Sequence, residues 1–173
     1  MALYIPNTHV IDLKLISNYT NILKLFSKNN IEVYLYIITW KGIIIKYGIS
    51  HKSGSTRQLG DRIYTQAGYF PGWDKKCLER GPKSKKATEE MIAYLEDKYQ
   101  TVFHKDDVVL TIEDYTDYPF ENPDNPYAEL QNVEEYKKKE FYDIHQCYPI
   151  GNKKQEKIRP VPGFNKSGLF EFI

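Results

Sequence analysis

The pattern of apolar and polar positions predicts a β-hairpin in the first third of the chain. Residues 32–40 and 43–50 are both rich in Val, Ile and Tyr, which are favoured in strands. Only Lys41-Gly42 separates the two runs, and a short connection of this kind is typical of a tight hairpin turn. The sequence therefore predicts two antiparallel strands joined by a two-residue turn.

Apolar residues recur at helical spacing on both sides of this hairpin. Residues 11–28 predict a helix that ends at Asn29-Asn30, although the polar run 17–20 could interrupt it. Residues 59–67 predict a short helix, and residues 85–102 carry the clearest helical pattern in the chain. The apolar stripe of that last helix consists of Ala87, Met91, Ile92, Leu95 and Tyr99.

The remaining pattern is weaker. Residues 73–79 could form a third strand, and residues 108–112 another. Residues 118–127, with three prolines, predict an extended loop, and residues 129–144 predict a helix on which Lys137 to Lys139 are exposed. Together these elements predict an α+β fold, a small antiparallel sheet of about three strands flanked by helices.

The composition fits a soluble globular chain. Its 173 residues suit one compact domain or a smaller domain with a tail, and 41% hydrophobic residues suffice for a core. No apolar run approaches the ~18 residues that span a bilayer, and residues 1–10 lack a secretory pattern. Two cysteines, Cys77 and Cys147, suit reduced thiols. We therefore expect a cytoplasmic protein with no membrane partner.

Charge is balanced in total but unevenly distributed. The chain has 24 Lys and Arg against 23 Asp and Glu, with an acidic stretch over residues 106–135. Residues 75–86 are basic, which suits phosphate binding; an ordinary solvated face is the other interpretation. The basic residues of this segment are Lys75, Lys76, Arg80, Lys83, Lys85 and Lys86.

Four features follow one another within about 70 residues, and together they match the needs of phosphodiester cleavage. They are a hairpin with aromatic residues, a helix with an arginine, a basic segment and a helix with a glutamate. Cleavage needs a general base for water, a cation on the scissile phosphate, and a carboxylate that holds a divalent metal.

At these positions the chain resembles the GIY-YIG nuclease superfamily, and most closely a phage-associated branch whose motifs read YVY and KIG. The resemblance covers residues 33–103 and departs from the standard motifs in having Tyr34 for glycine and Lys46 for tyrosine. The matching segments are Tyr34-Leu35-Tyr36, Lys46-Tyr47-Gly48, Asp61-Arg62-Ile63 and Leu95-Glu96-Asp97.

The resemblance implies a metal-dependent DNA endonuclease, with double-stranded DNA as partner and Mg²⁺ or Mn²⁺ as cofactor. Tyr36 would be the base, Arg62 the phosphate ligand and Glu96 the catalytic metal ligand. A site-specific enzyme of the restriction or mobile-element type is the first interpretation. A structure-selective repair nuclease and a catalytically silent nucleic-acid-binding protein are the alternatives. We expect DNA contacts from Gln66, Lys75, Lys76, Lys83, Lys85 and Lys86.

The partner of Tyr36 on the second strand is left open by the sequence. A regular ladder from a two-residue turn places Tyr36 opposite Tyr47, whereas the motif alignment places Lys46 on its face. A one-residue slip or a bulge converts one arrangement into the other. We therefore count Lys46 and Tyr47 both as candidate catalytic residues.

Helix geometry selects among the glutamates of residues 85–102. Glu96 and Glu89 flank one edge of the apolar stripe, where a side chain can reach a cleft, and Glu90 points into solvent. Glu96 is the candidate ligand and Glu89 the second choice.

Three segments follow from these assignments. Residues 1–32 would be an N-terminal helical extension and residues 33–103 the catalytic module. Residues 104–173 would be a C-terminal extension that contacts DNA or forms a homodimer.

Overall fold

The computed structural model of the protein describes residues 4–12, 19–52 and 82–152. Two short 3-10 helices, Lys105–Asp107 and Ile150–Asn152, accompany the longer elements. In chain order those elements are β1 (Asn7–Asp12), α1 (Tyr19–Asn29), β2 (Val33–Trp40), β3 (Ile43–His51), α2 (Pro82–Tyr99), β4 (Val108–Asp114) and α3 (Tyr127–His145).

The sheet is antiparallel and has four strands in the order β1-β4-β2-β3. The predicted α+β class is confirmed, but the prediction of three strands is wrong. The additional strand, β1, was not predicted; only its last two residues fell at the start of the helix predicted over residues 11–28, and Ile11 instead lies opposite Leu110 of β4. Tertiary pairing thus overrides the helical spacing of this short segment.

The sheet also draws on all three segments proposed from the sequence. β1 comes from residues 1–32, the hairpin from residues 33–103 and β4 from residues 104–173. The inner strand β2 pairs with β3 on one side and β4 on the other. The hairpin therefore does not form the sheet alone.

The hairpin turn is the predicted one. Lys41 and Gly42 both have positive φ, 50° and 76°, as a type I′ turn requires. Trp40 faces Ile43 and Thr39 faces Ile44, but the next pair is Ile38 with Lys46. Ile45 is therefore an extra residue in β3, and the ladder contains a bulge at that point.

The helices α1, α2 and α3 were all predicted, but α1 begins at Tyr19 and not at residue 11, where the prediction began. Asn30 adopts a positive φ of 52° and ends α1 as predicted, and α3 is confirmed as a helix. α2 ends at Tyr99, three residues before the predicted end, because Gln100 turns to a φ of 51°. The strand predicted at 108–112 is confirmed and continues to Asp114. Residues 59–67 and 73–79 lie outside the described residues.

The sheet carries a hydrophobic cluster on each face. Alternate residues of β2 point to opposite sides, so Tyr34, Tyr36 and Trp40 join α1 and α2. Leu35 joins Tyr47, Ile49 and residues of α3 on the other side. The two faces thus place the candidate residues Tyr36 and Tyr47 in different cores.

Candidate active site

Tyr36 lies in the middle of β2, directly opposite Gly48 of β3. Its ring occupies the space beside the Gly48 backbone, where an ideal Cβ would overlap Tyr36 Cζ, Oη and Cε1. Tyr36 is 0% exposed and belongs to the cluster beneath α1 and α2. The absence of a side chain at Gly48 is therefore what makes room for the ring of Tyr36.

The bulge at Ile45 decides which second-strand residue has the same parity as Tyr36. Lys46 pairs with Ile38, two positions from Tyr36, so Lys46 and Tyr36 occupy the same face of the ladder. Lys46 is itself buried. By backbone register the structure has the arrangement with Lys46, while the positive charge of Lys46 also acts on Glu134 of α3, which packs against the opposite side of the sheet.

Tyr47 occupies the opposite face, in the cluster that contains Leu130 of α3. Burial, together with the negative charges of Glu140 and Glu113, raises the pKa of Tyr47 to about 12. A phenol of that pKa is protonated at neutral pH. Tyr47 is therefore poorly suited to accept a proton from water.

Charged side chains of α3 lie against the same face of the sheet. Lys137 Nζ lies 2.8 Å from Glu113 Oε1 of β4. Lys138 Nζ lies 2.8 Å from Glu135 Oε1 and 3.6 Å from Glu134 Oε1. Burial raises the pKa of Glu134, against the opposing effect of the positive charges of Lys138 and Lys46. The expectation that Lys137 to Lys139 are exposed is wrong: Lys138 is 4% exposed between its two glutamates, and Lys137 and Lys139 are half-buried.

Asn152 joins the end of the described chain to the edge strand β3. The Tyr47 N–H donates to Asn152 Oδ1 and Asn152 Nδ2 donates to the Tyr47 carbonyl, both at 2.9 Å. Asn152 is 1% exposed. No sequence pattern singled out this residue, since its partner is 105 positions away.

Glu96 is half-buried near the C-terminal end of α2. Its Oε2 accepts a hydrogen bond of 2.9 Å from the Phe103 N–H. The Phe103 ring stacks on Trp40, with centroids 5.2 Å apart and planes at 21°. The carboxylate therefore orders the chain after α2. Glu89 and Glu90 are exposed on the same helix, as expected for Glu90.

The other candidate residues lie wholly or partly outside the part of the chain that the structure describes. Arg62, Gln66, Lys75 and Lys76 lie outside the described residues. Lys83, Lys85 and Lys86 belong to the first turns of α2, but their side chains are outside the description. Among the described side chains, no group of three or more His, Cys, Asp or Glu could hold a metal ion. A metal at Glu96 would thus depend on water and substrate for its other ligands.

Comparison with protein-family models, curated sequences and solved structures gives no match to this chain. Within the described ranges, no helix has the length and apolar character that crossing a membrane requires.

Proposed function

We propose that the protein is a metal-dependent DNA endonuclease that uses the face of the hairpin with Tyr36 and Lys46. The observation that carries the proposal is the register of β2 and β3. Tyr36 pairs with Gly48, and the bulge brings Lys46 to the face of Tyr36. This register supports the assignment of Tyr36 and Lys46 to one proposed site.

In the proposed reaction, water attacks the scissile phosphorus and its proton passes to the phenolate of Tyr36. The bond from phosphorus to the leaving sugar oxygen breaks, and that oxygen takes a proton from solvent. Lys46 supplies positive charge on the same face, which favours the phenolate and the approach of a phosphate. Arg62 would hold a phosphate oxygen through its two-pronged guanidinium. When bound, a divalent ion would neutralise charge on the phosphate and leaving oxygen, and Glu96 would be its protein ligand.

The burial of Tyr36 sets a condition on this reaction. A general base must reach water within hydrogen-bond distance, and the Tyr36 side chain is fully buried. The proposal therefore requires that DNA binding opens the packing around Tyr36. Double-stranded DNA is the proposed partner, and a homodimer would provide one site for each strand.

A second candidate function is a catalytically silent nucleic-acid-binding protein. This alternative is favoured because two candidate side chains make contacts that stabilise the fold. Tyr36 fills the core over Gly48, and Glu96 accepts a hydrogen bond from the backbone at Phe103. In this alternative both side chains serve the fold.

Incubation with supercoiled plasmid, with Mg²⁺ and with a chelator, tests the two candidates. Discrete fragments that require Mg²⁺ support a site-specific endonuclease. Nicks at irregular DNA structures indicate the structure-selective alternative. Intact DNA in every condition, with DNA still bound in a gel-shift assay, contradicts the nuclease and favours the silent protein.

Substitutions of the glutamates then locate the metal ligand. Glu96→Gln keeps an oxygen for the Phe103 N–H and removes the charge, so it should abolish cleavage without loss of folding. Glu90→Gln, on the exposed side of α2, is the control and should cut normally. Glu140→Gln should also cut normally; if it alone abolishes cleavage, the metal lies on the α3 side of the sheet and Glu96 is not its ligand.

A further inference from the structure

The bulge in β3 creates a choice of register within the hairpin. With the type I′ turn at Lys41-Gly42, a regular ladder pairs Ile38 with Ile45 and Tyr36 with Tyr47. The observed ladder leaves Ile45 unpaired and places Gly48 opposite Tyr36. The two ladders share the same turn, so the turn does not select between them.

Backbone polarity distinguishes the two ladders at Tyr47. In an antiparallel pair, the N–H and C=O of one residue point together, either toward the neighbouring strand or away from it. In the observed register Tyr47 directs both groups away from β2, to the free edge of the sheet, where Asn152 binds them. In the regular ladder Tyr47 would take the place of Gly48, and both groups would point inward to β2.

The carboxamide of Asn152 matches only the first orientation. It has one acceptor and one donor, and these satisfy the two outward groups of Tyr47 at equal distances of 2.9 Å. Asn152 is held in turn by its own backbone, whose N–H donates to the Pro149 carbonyl at 2.9 Å. Since the site is buried, an inward-turned Tyr47 would leave the Asn152 amide without these partners.

We propose that Asn152 is a positioning residue that locks the hairpin register and so keeps Lys46, and not Tyr47, on the face of Tyr36. The register lock is a property of the fold, and its catalytic meaning rests on the proposed nuclease function. The lock acts on the residue directly after Lys46, which is also the second residue after the bulge.

Nuclear magnetic resonance of the labelled full chain tests the lock without DNA. Wild-type protein should show cross-strand contacts between Tyr36 and Gly48 and slow exchange of the Tyr47 amide. In N152A, contacts between Tyr36 and Tyr47 should appear, and the Gly48 amide, which the slip turns from β2 to the free edge, should exchange at least about tenfold faster. An N152A protein that keeps only the Tyr36–Gly48 contacts overturns the proposal.

Deleting Ile45 provides the rescue that distinguishes a register lock from a merely structural contact. Without Ile45, a regular ladder from the same turn pairs Tyr36 with Gly48 by itself. N152A in this background should therefore keep the Tyr36–Gly48 contacts. If N152A disturbs the hairpin equally with and without Ile45, Asn152 only stabilises the fold and the proposal fails.

N152D keeps the proposal testable if N152A does not fold. At neutral pH its carboxylate can accept from the Tyr47 N–H but cannot donate to the carbonyl, and protonation restores one donor and one acceptor. The Tyr36–Gly48 contacts should therefore strengthen as the pH falls. Contacts that do not depend on pH would overturn the lock. A wild-type protein that shows the lock but leaves plasmid intact would refute the nuclease proposal and leave the lock standing.

Discussion

Tyr36 and Gly48 are complementary across the hairpin: the ring of Tyr36 lies in the volume that any Gly48 side chain would need. The two residues are directly opposite each other in neighbouring strands. The rest of the Tyr36 side chain is enclosed by the core beneath α1 and α2. The pair therefore behaves as one packing unit.

Gly48→Ala should destabilise the protein because the new methyl group overlaps the Tyr36 ring. Overpacking of this kind costs about 1–3 kcal/mol, to be measured by urea unfolding. Tyr36→Leu in the same chain should recover part of the loss, so the two changes should not be additive. Gly42→Ala is the control: it has no neighbour within 4 Å but a φ of 76°, and should lose roughly 1–2 kcal/mol that Tyr36→Leu does not recover.

Tyr36→Phe should reduce plasmid cleavage by roughly 10²–10⁴-fold, because it removes the proposed general base. Tyr47→Phe should change the rate little, since that phenol lies on the other face with a raised pKa. Single-turnover rates with Mg²⁺ measure both. Equal rates for Tyr36→Phe and wild type would return Tyr36 to a purely structural role, and a loss confined to Tyr47→Phe would reverse the assignment of the faces.

The free energy of unfolding should fall as the pH rises through the alkaline range. The pKa of Tyr47 is 10.0 in the reference state and about 12 in the folded protein, so the unfolded chain loses its proton first. The stabilisation is present below pH 10 and is lost toward about pH 12, an effect of about 3 kcal/mol. Tyr115, whose pKa burial also raises, acts in the same direction. Tyr47→Phe should flatten the profile, and an unchanged slope in that variant would exclude Tyr47 as a source.

Lys138→Met should cost about 3 kcal/mol, because it leaves two glutamates of α3 without their shared cation in a buried setting. Thermal and urea unfolding measure the loss. Lys28→Met, on the exposed side of α1, is the control and should stay within about 0.5 kcal/mol of wild type. Equal stability of the two variants would mean that Lys138 is dispensable for docking α3.

Local signals explain which parts of the fold could be predicted. The hairpin turn, the stop at Asn30 and the helix α3 depend on residues close together in sequence, and each was found. The strand β1 was missed because it is short, polar and at the edge, with Val10 69% exposed. Its identity comes from pairing with β4, which a local pattern does not contain.

The candidate site was predicted in part, for a similar reason. The motif order selected Tyr36, Lys46 and Tyr47, but their distribution over two faces depends on the bulge at Ile45. The bulge coincides with a contact from Asn152, more than half the chain away. The burial of Lys138 likewise depends on α3 lying against the sheet. Sequence spacing indicates residue types for a reaction, and long-range packing decides which of them face each other.

The order of the strands also determines when the protein can fold during synthesis. The inner strand β2 is paired on both sides only once β4 is present. The core around Tyr36 therefore cannot form before Ile112, its partner in β4, has been synthesised. Until then the nascent hairpin exposes both an unpaired edge and an apolar face. Such long-range pairing slows folding, and we expect the newly made chain to depend on protection from aggregation until residues near Asp114 have left the ribosome.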